Sequence, residues 1–397
     1  MVETVIKNAR VIDGKGNVIE NGFVKFAGQE IVEVSDKPFR SESATRVEEI
    51  DGTGKTVMPG LIDCHIHLAM MPVMESFATI AGDNECTTAI KASAHCGEFL
   101  KFGITTIRNM GTKYDADIHL RNMINTGVLK GPRIRASGLV IGITGGHGHG
   151  IALESDSVDE ALKSARTQIK KGADIIKLMA TGGVLTPGSV VGAQQLSLEQ
   201  MRVVAEEAQK TGRITAAHCI GYEGTKAAIL AGVNSVEHGY MVDEPLLELM
   251  AERNTYLCPT IIASRAIALN RDASPVAEGL RQKIAPIADG HLVALRKAVK
   301  SGIKIAAGTD CGTPWNPISR MADELKYYIE AGMSNMQALL SATRIGAELL
   351  KLNDVLGTLE KGKYADLILI DGNPLQDIET LKQVERTYKN GELLYQR

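Results

Sequence analysis

The sequence predicts an α/β fold, a (β/α)8 barrel carrying a small β-sandwich built from both chain ends, and three observations carry that expectation. From about Met58 to Lys351, short β-branched runs alternate with amphipathic runs of helix length, the pattern of βα units around a parallel sheet. Glycines punctuate the helix-to-strand junctions at Gly103, Gly172, Gly212, Gly232 and Gly302, where a left-handed residue ends a helix. The two chain ends lack any helical period and read as short strands joined by Gly and Asn turns.

The barrel strands are expected, in order, at Met58–His67, Ile104–Met110, Arg133–Ile141, Asp174–Met179, Ile214–Cys219, Ser235–His238, Thr255–Thr260 and Lys304–Thr309. Helix starts are marked by Ser157 with Glu160 and by Ser197 with Gln200, pairs spaced to satisfy each other's free backbone N–H groups. Eight such units with right-handed crossovers close a barrel. Residues 1–57 and 358–397 are each too few in strands to bury an apolar face alone, so they are expected to pair as one sandwich around a barrel of residues 58–357.

With 397 residues and 44% hydrophobic content, the chain is large enough for both modules. A net charge of -3 without basic clusters gives no electrostatic case for nucleic acid or an anionic membrane, so a small-molecule substrate is the expected partner. The first residues lack the pattern of a signal peptide, and no run approaches the roughly 20 apolar residues of a membrane span. The six cysteines show no CxxC spacing and are expected to be reduced, which places the protein in the cytoplasm.

The chemistry is expected at strand ends. In Asp63-Cys64-His65-Ile66-His67 the two-residue spacing puts both imidazoles on one face of an extended chain, where they can grip one cation. Alone, that pair is weak evidence. Lys177, His218, His238 and Asp310, however, all fall at or near the ends of strands four, five, six and eight, and side chains from those ends converge on one barrel mouth. Each has a bland reading by itself: a snorkelling lysine, two hydrogen-bonded core histidines, a helix-capping aspartate. Their common rim argues for a metal centre. Lys177 lies in the apolar run ADIIKLMA, where a buried ammonium is costly. A neutral amine there can react with carbon dioxide, giving a carbamate able to bridge two cations.

PGLIDCHIHL, the strand lysine, AAHC, VEHG and AAGTD resemble the amidohydrolase superfamily in its binuclear, carboxylated-lysine branch, and the similarity spans the whole chain. The resemblance implies two divalent cations, with zinc the default: His65, His67 and Asp310 hold one, His218 and His238 the other, and N-carboxylated Lys177 bridges them. It also implies a C–N bond hydrolase in which hydroxide held by the metals attacks the carbonyl while Asp310 moves the proton. The deaminase branch usually carries a glutamate three residues after the fifth-strand histidine, where this chain has Gly221.

TGGHGHG (144–150), TGGVLTPG (181–188) and HCIGYEG further resemble the Xaa-Arg/Lys dipeptidase group, zinc-dependent arginine carboxypeptidases often labelled Xaa-Pro dipeptidases. That narrower resemblance implies release of a C-terminal amino acid, with Arg or Lys favoured. Asp310, Lys177, His147 and Tyr222 are then the candidate catalytic residues, and His147, His149, Tyr222 and Tyr240 the candidate substrate contacts. Asp83, Glu85 and Glu223 are candidates for pairing with a basic side chain. Two alternatives stand beside this reading: a cyclic-amide hydrolase of the imidazolonepropionase type, which often runs on one metal, and an inactive scaffold. A homo-oligomer is expected, with exposed faces of Tyr327 and Tyr328 available for assembly.

Overall fold

The computed structural model describes residues 3–39, 47–270 and 275–397. Residues 1–2 and 40–46 of the N-terminal segment therefore lie outside the described residues. The barrel strands form two parallel arrays. Leu61–Ile66 pairs with Ile104–Asn109, which pairs with Arg133–Arg135. Val140–Gly142, Ile175–Met179, Ile214–Cys219, Ser235–His238 and Tyr256–Cys258 follow one another in the second array. The expected third strand is thus broken in two. Gly138, at φ +64°, turns the chain out of line, and the buried Asp117 carboxylate accepts the freed N–H groups of Ser137 and Gly138 at 3.0 and 3.1 Å.

The eighth segment closes the ring by single bridges instead of a regular ladder. Ile305 pairs with Leu257 on one side and Cys311 with Ile66 on the other, while Cys64 N–H donates to Ala307 O at 2.8 Å. Its Ala306-Ala307-Gly308 run suits a crowded closure: a Cβ on Gly308 would stand 2.4 Å from Cys258 Sγ and 2.8 Å from His65 Cβ. The first expected strand also divides. Lys55–Pro59 belongs to the terminal sheet and Leu61–Ile66 to the barrel, with Gly60 packed against Thr105 between them. The helix signals hold, because Ser157/Glu160 and Ser197/Gln200 form reciprocal caps and the five punctuating glycines all take positive φ.

Both chain ends contribute to one eight-stranded sheet in the order Glu392–Gln396, Val384–Lys389, Leu367–Asp371, Lys55–Pro59, Glu3–Ile12, Val18–Ala27, Glu30–Ser35, with Val47–Asp51 also on Glu3–Ile12. It folds back on itself as a sandwich: Phe26 and Tyr388, on strands far apart in that order, meet edge-to-face with ring centroids 5.0 Å apart. Side chains alternate across a strand. Leu367 and Leu369 therefore fill the sandwich core while Ile368 and Ile370 face the barrel core. All six cysteines are free. Among the described residues no helix is long and apolar enough to cross a membrane. Tyr328 is fully buried in the barrel core, which corrects the expectation of an exposed face there: its ring fills the layer beneath helix Met321–Glu330, with Tyr327 only partly buried.

Candidate active site

The carboxyl ends of the barrel strands bring His65, His67, Lys177, His218, His238 and Asp310 to one cavity. His65 and His67 share a face of the first strand and stand 3.5 and 3.2 Å, by Nε2, from Asp310 Oδ1. The His65 and His238 ring centroids are 5.0 Å apart, and those of His238 and His218 are 4.6 Å apart. His65, His238 and Asp310 offer ligand atoms that all lie within 4.8 Å of one another.

Backbone geometry aims two of these groups. His238 and Asp310 both hold left-handed φ, +69° and +56°, a conformation a side-chain-bearing residue adopts only when its surroundings impose it. For Asp310 the imposing contacts are visible: Asn316 Nδ2 donates to Thr309 O at 2.8 Å and to Asp310 O at 2.9 Å. The Asp63 carboxylate accepts from Thr309 N–H at 3.0 Å and Thr309 Oγ1 at 2.6 Å, tying the first strand to the eighth. Burial pushes that carboxyl up to about 7.

The imidazoles are oriented from behind. His65 Nδ1 lies 2.7 Å from Glu237 Oε2, and His238 Nδ1 lies 2.7 Å from Thr260 Oγ1, so each turns its Nε2 away from that anchor. Arg108, fully buried, donates to both oxygens of Glu237 at 2.9 and 3.0 Å and to Ser235 Oγ at 2.8 Å. Burial, with Lys177 or another histidine next, holds His65, His218 and His238 well below the ordinary imidazole range, which keeps them in the neutral form that ligates metals. Burial likewise pulls the Lys177 ammonium down.

The donor set fits divalent cations on one further observation. His67 Nδ1, Lys177 Nζ, His218 Nε2 and Asp310 Oδ1 are all buried without a hydrogen-bond partner, an arrangement folded proteins rarely tolerate unless something else satisfies those atoms.

Around this cluster, His147 and Tyr240 line the cavity as expected substrate contacts would. The His147 ring lies 4.4 Å from that of His218, and Tyr240 stacks on His291 at 3.8 Å. The structure places His149 on the surface, its Nδ1 on Gly146 O, and Tyr222 at the start of helix Tyr222–Ala231; neither lines the cavity. Asp83 is paired with Lys91, and Glu85 and Glu223 are exposed. Glu237, Arg108 and Thr260 were not singled out from sequence. A charge at the same strand parity as Ser235 in SVEH, and another inside the apolar ITTIRN strand, were the available signals.

A closed parallel barrel with convergent histidines, a buried lysine and an aspartate at its carboxyl mouth is the architecture of a barrel enzyme with a candidate site for a divalent metal. The chain belongs to the Amidohydrolase family, which matches residues 56–394. It is 30% identical to ochratoxinase of Aspergillus niger over 98% of this chain and 86% of that protein. Among solved structures it is similar to a Xaa-Pro dipeptidase with methionine bound in the active site, at 35% identity and TM-score 0.92 over 100% of both chains. A prolidase complexed with N-methylphosphonate-L-proline follows at 30% identity and TM-score 0.90, again over 100% of both chains. The protein is a hydrolase acting on amide or peptide bonds.

Proposed function

We propose that this chain is a binuclear dipeptidase or N-acyl amino acid hydrolase that releases a C-terminal amino acid. The observation that carries the metal part is the group of four buried polar atoms, from residues lining one cavity, that have no hydrogen-bond partner. In this reading His65, His67 and Asp310 would hold one cation, His218 and His238 the other, and Lys177 as its carbamate would complete the set, with zinc the default metal. Such cations supply a water acidic enough to ionise near neutral pH and an electrophile for the amide carbonyl.

The chain's own residues do the rest. Asp310, beside His65 and His67, takes the proton from the attacking water and delivers it to the leaving amine, acting first as base and then as acid. His147 stands beside His218 where it can donate to the carbonyl oxygen as charge develops. Val184, Leu185, Ile220, Ala263, Ile267 and Ile284 give the cavity an apolar wall.

That wall also bears on the side chain accepted. Among the described lining residues Asp310 is the one carboxylate, so an Arg or Lys guest, implied by the narrower resemblance, meets no acidic partner outside the reacting centre. A neutral, apolar residue fits the wall better, and the methionine and prolyl ligands named for the two similar structures agree. The test is a hydrolysis screen of dipeptides varied at the C-terminal residue, run with metal analysis. We expect two metals per chain, apolar C-terminal residues preferred, and kcat lowered by about 10²-fold or more in Asp310→Asn. A stoichiometry near one with cyclic-amide turnover favours the imidazolonepropionase reading, and preference for Arg or Lys refutes the apolar assignment alone.

A further inference from the structure

The TGGVLTPG segment passes beside the cavity and is more than a flexible connection. Lys283, on helix Pro275–Ser301, donates to Val184 O at 3.3 Å and Thr186 O at 3.2 Å, anchoring the segment from outside. On its inner side, Gly148 N–H donates to Thr186 Oγ1 at 3.1 Å, and His147 Nδ1 lies 2.9 Å from the same oxygen. The His147 backbone N–H is held separately by Gln195 Oε1 at 3.0 Å. Gly183 faces the other end of the ring: a Cβ there would stand 2.4 Å from His147 Nε2.

We propose that Thr186 is a positioning residue that fixes the tautomer of His147, so that the imidazole carries its hydrogen on Nε2 and acts as an N–H donor toward the substrate carbonyl. The inference rests on reading the cavity as an amide-hydrolysing site. A hydroxyl has one proton and two lone pairs. One lone pair of Thr186 Oγ1 receives the Gly148 N–H, and within the contacts of this buried hydroxyl the acceptor for its own proton is His147 Nδ1. An imidazole that accepts at Nδ1 bears its hydrogen at Nε2. A histidine in the opposite tautomer would direct a lone pair at the carbonyl oxygen and repel the charge that builds there. Gly183 then serves this ring: it leaves the space that the Nε2 end occupies.

Two measurements on the metal-loaded full-length enzyme test this. In ¹⁵N-histidine NMR, with His147→Gln assigning the resonance, His147 should show a protonated Nε2 and an accepting Nδ1 in the wild type and in Thr186→Ser, and a mixture in Thr186→Val. With the best dipeptide from the screen, kcat in Thr186→Val should fall about 10–100-fold at a KM changed less than about threefold, with Thr186→Ser restoring it. A wild-type His147 protonated at Nδ1 overturns the proposal, as does a folded Thr186→Val enzyme with unchanged tautomer and kcat. If Thr186→Val fails to fold, the wild-type spectrum alone decides. If no amide substrate is turned over by the wild type, the hydrolase reading has failed, while the spectra still judge Thr186.

Discussion

Glu237 makes no claim on the cavity, yet its carboxylate holds His65 at Nδ1 and is itself held by Arg108, with both members of the ion pair fully buried. Removing one partner of such a pair leaves the other charge uncompensated. Glu237→Gln is therefore expected to cost about 3–5 kcal/mol in denaturant unfolding and to weaken metal binding about 10–100-fold in a chelator competition. Unchanged metal affinity would mean that His65 needs no such support. At this scale the sequence revealed the groups that face the cavity better than those behind them. His65 and His67 announce themselves by spacing, and His218 and Asp310 by sitting at strand ends, but Arg108 and Glu237 look like ordinary strand charges until the barrel closes around them. Tyr222 is the converse case: at the start of its helix it reads like its active-site neighbours in sequence, while the structure packs its ring against the outer core.

Elements carry their own constraints. Gly221, the position where a deaminase would place glutamate, has no room for any side chain: its Cβ would stand 2.1 Å from Gly192 O. The two glycine-containing loops touch there backbone to backbone, a contact that no local pattern in HCIGYEG discloses. Helix Ile261–Ala268 begins on the buried Glu324 carboxylate, which accepts from Ile261 N–H at 2.9 Å and Ile262 N–H at 2.7 Å. Burial nevertheless pushes that carboxyl from its ordinary 4.5 up to about 8, so folding takes up a proton in between. The stability this group contributes is full below 4.5 and is lost as pH rises toward 8. Melting temperature against pH across that window should accordingly slope less in Glu324→Gln than in the wild type, whatever the constant offset between them. The expected barrel strands were legible as apolar runs, although the breaks in the first and third were not; the eighth was legible as a run but not as an irregular one, since a Cβ at its Gly308 would crowd His65 and Cys258.

The molecule as a whole is bound together by Leu367–Asp371, whose two faces serve different cores. A chain ending at residue 357 would lose the sandwich strands and also bare the barrel surface that Ile368 and Ile370 cover, an apolar area that water penalises at roughly 25 cal/mol per Å². Such a truncation is expected to be recovered as aggregate, and a soluble, cooperatively melting product would show that the barrel stands by itself. The pairing of distant termini was legible from the lack of a helical period at both ends. The sharing of one strand between two interiors was not, because alternation in LILID looks the same whether one face or both are covered.

The Asp63–Thr309 clasp has a consequence in time. Its partners are 246 residues apart, and Asp310, proposed above to carry the proton, follows the second of them. A chain still being synthesised owns the four histidines and the lysine proposed as ligands before it owns that acid, so on this reading an unfinished copy is chemically idle. Capacity to cut arrives in one step, when the last staves of the barrel lock onto the first.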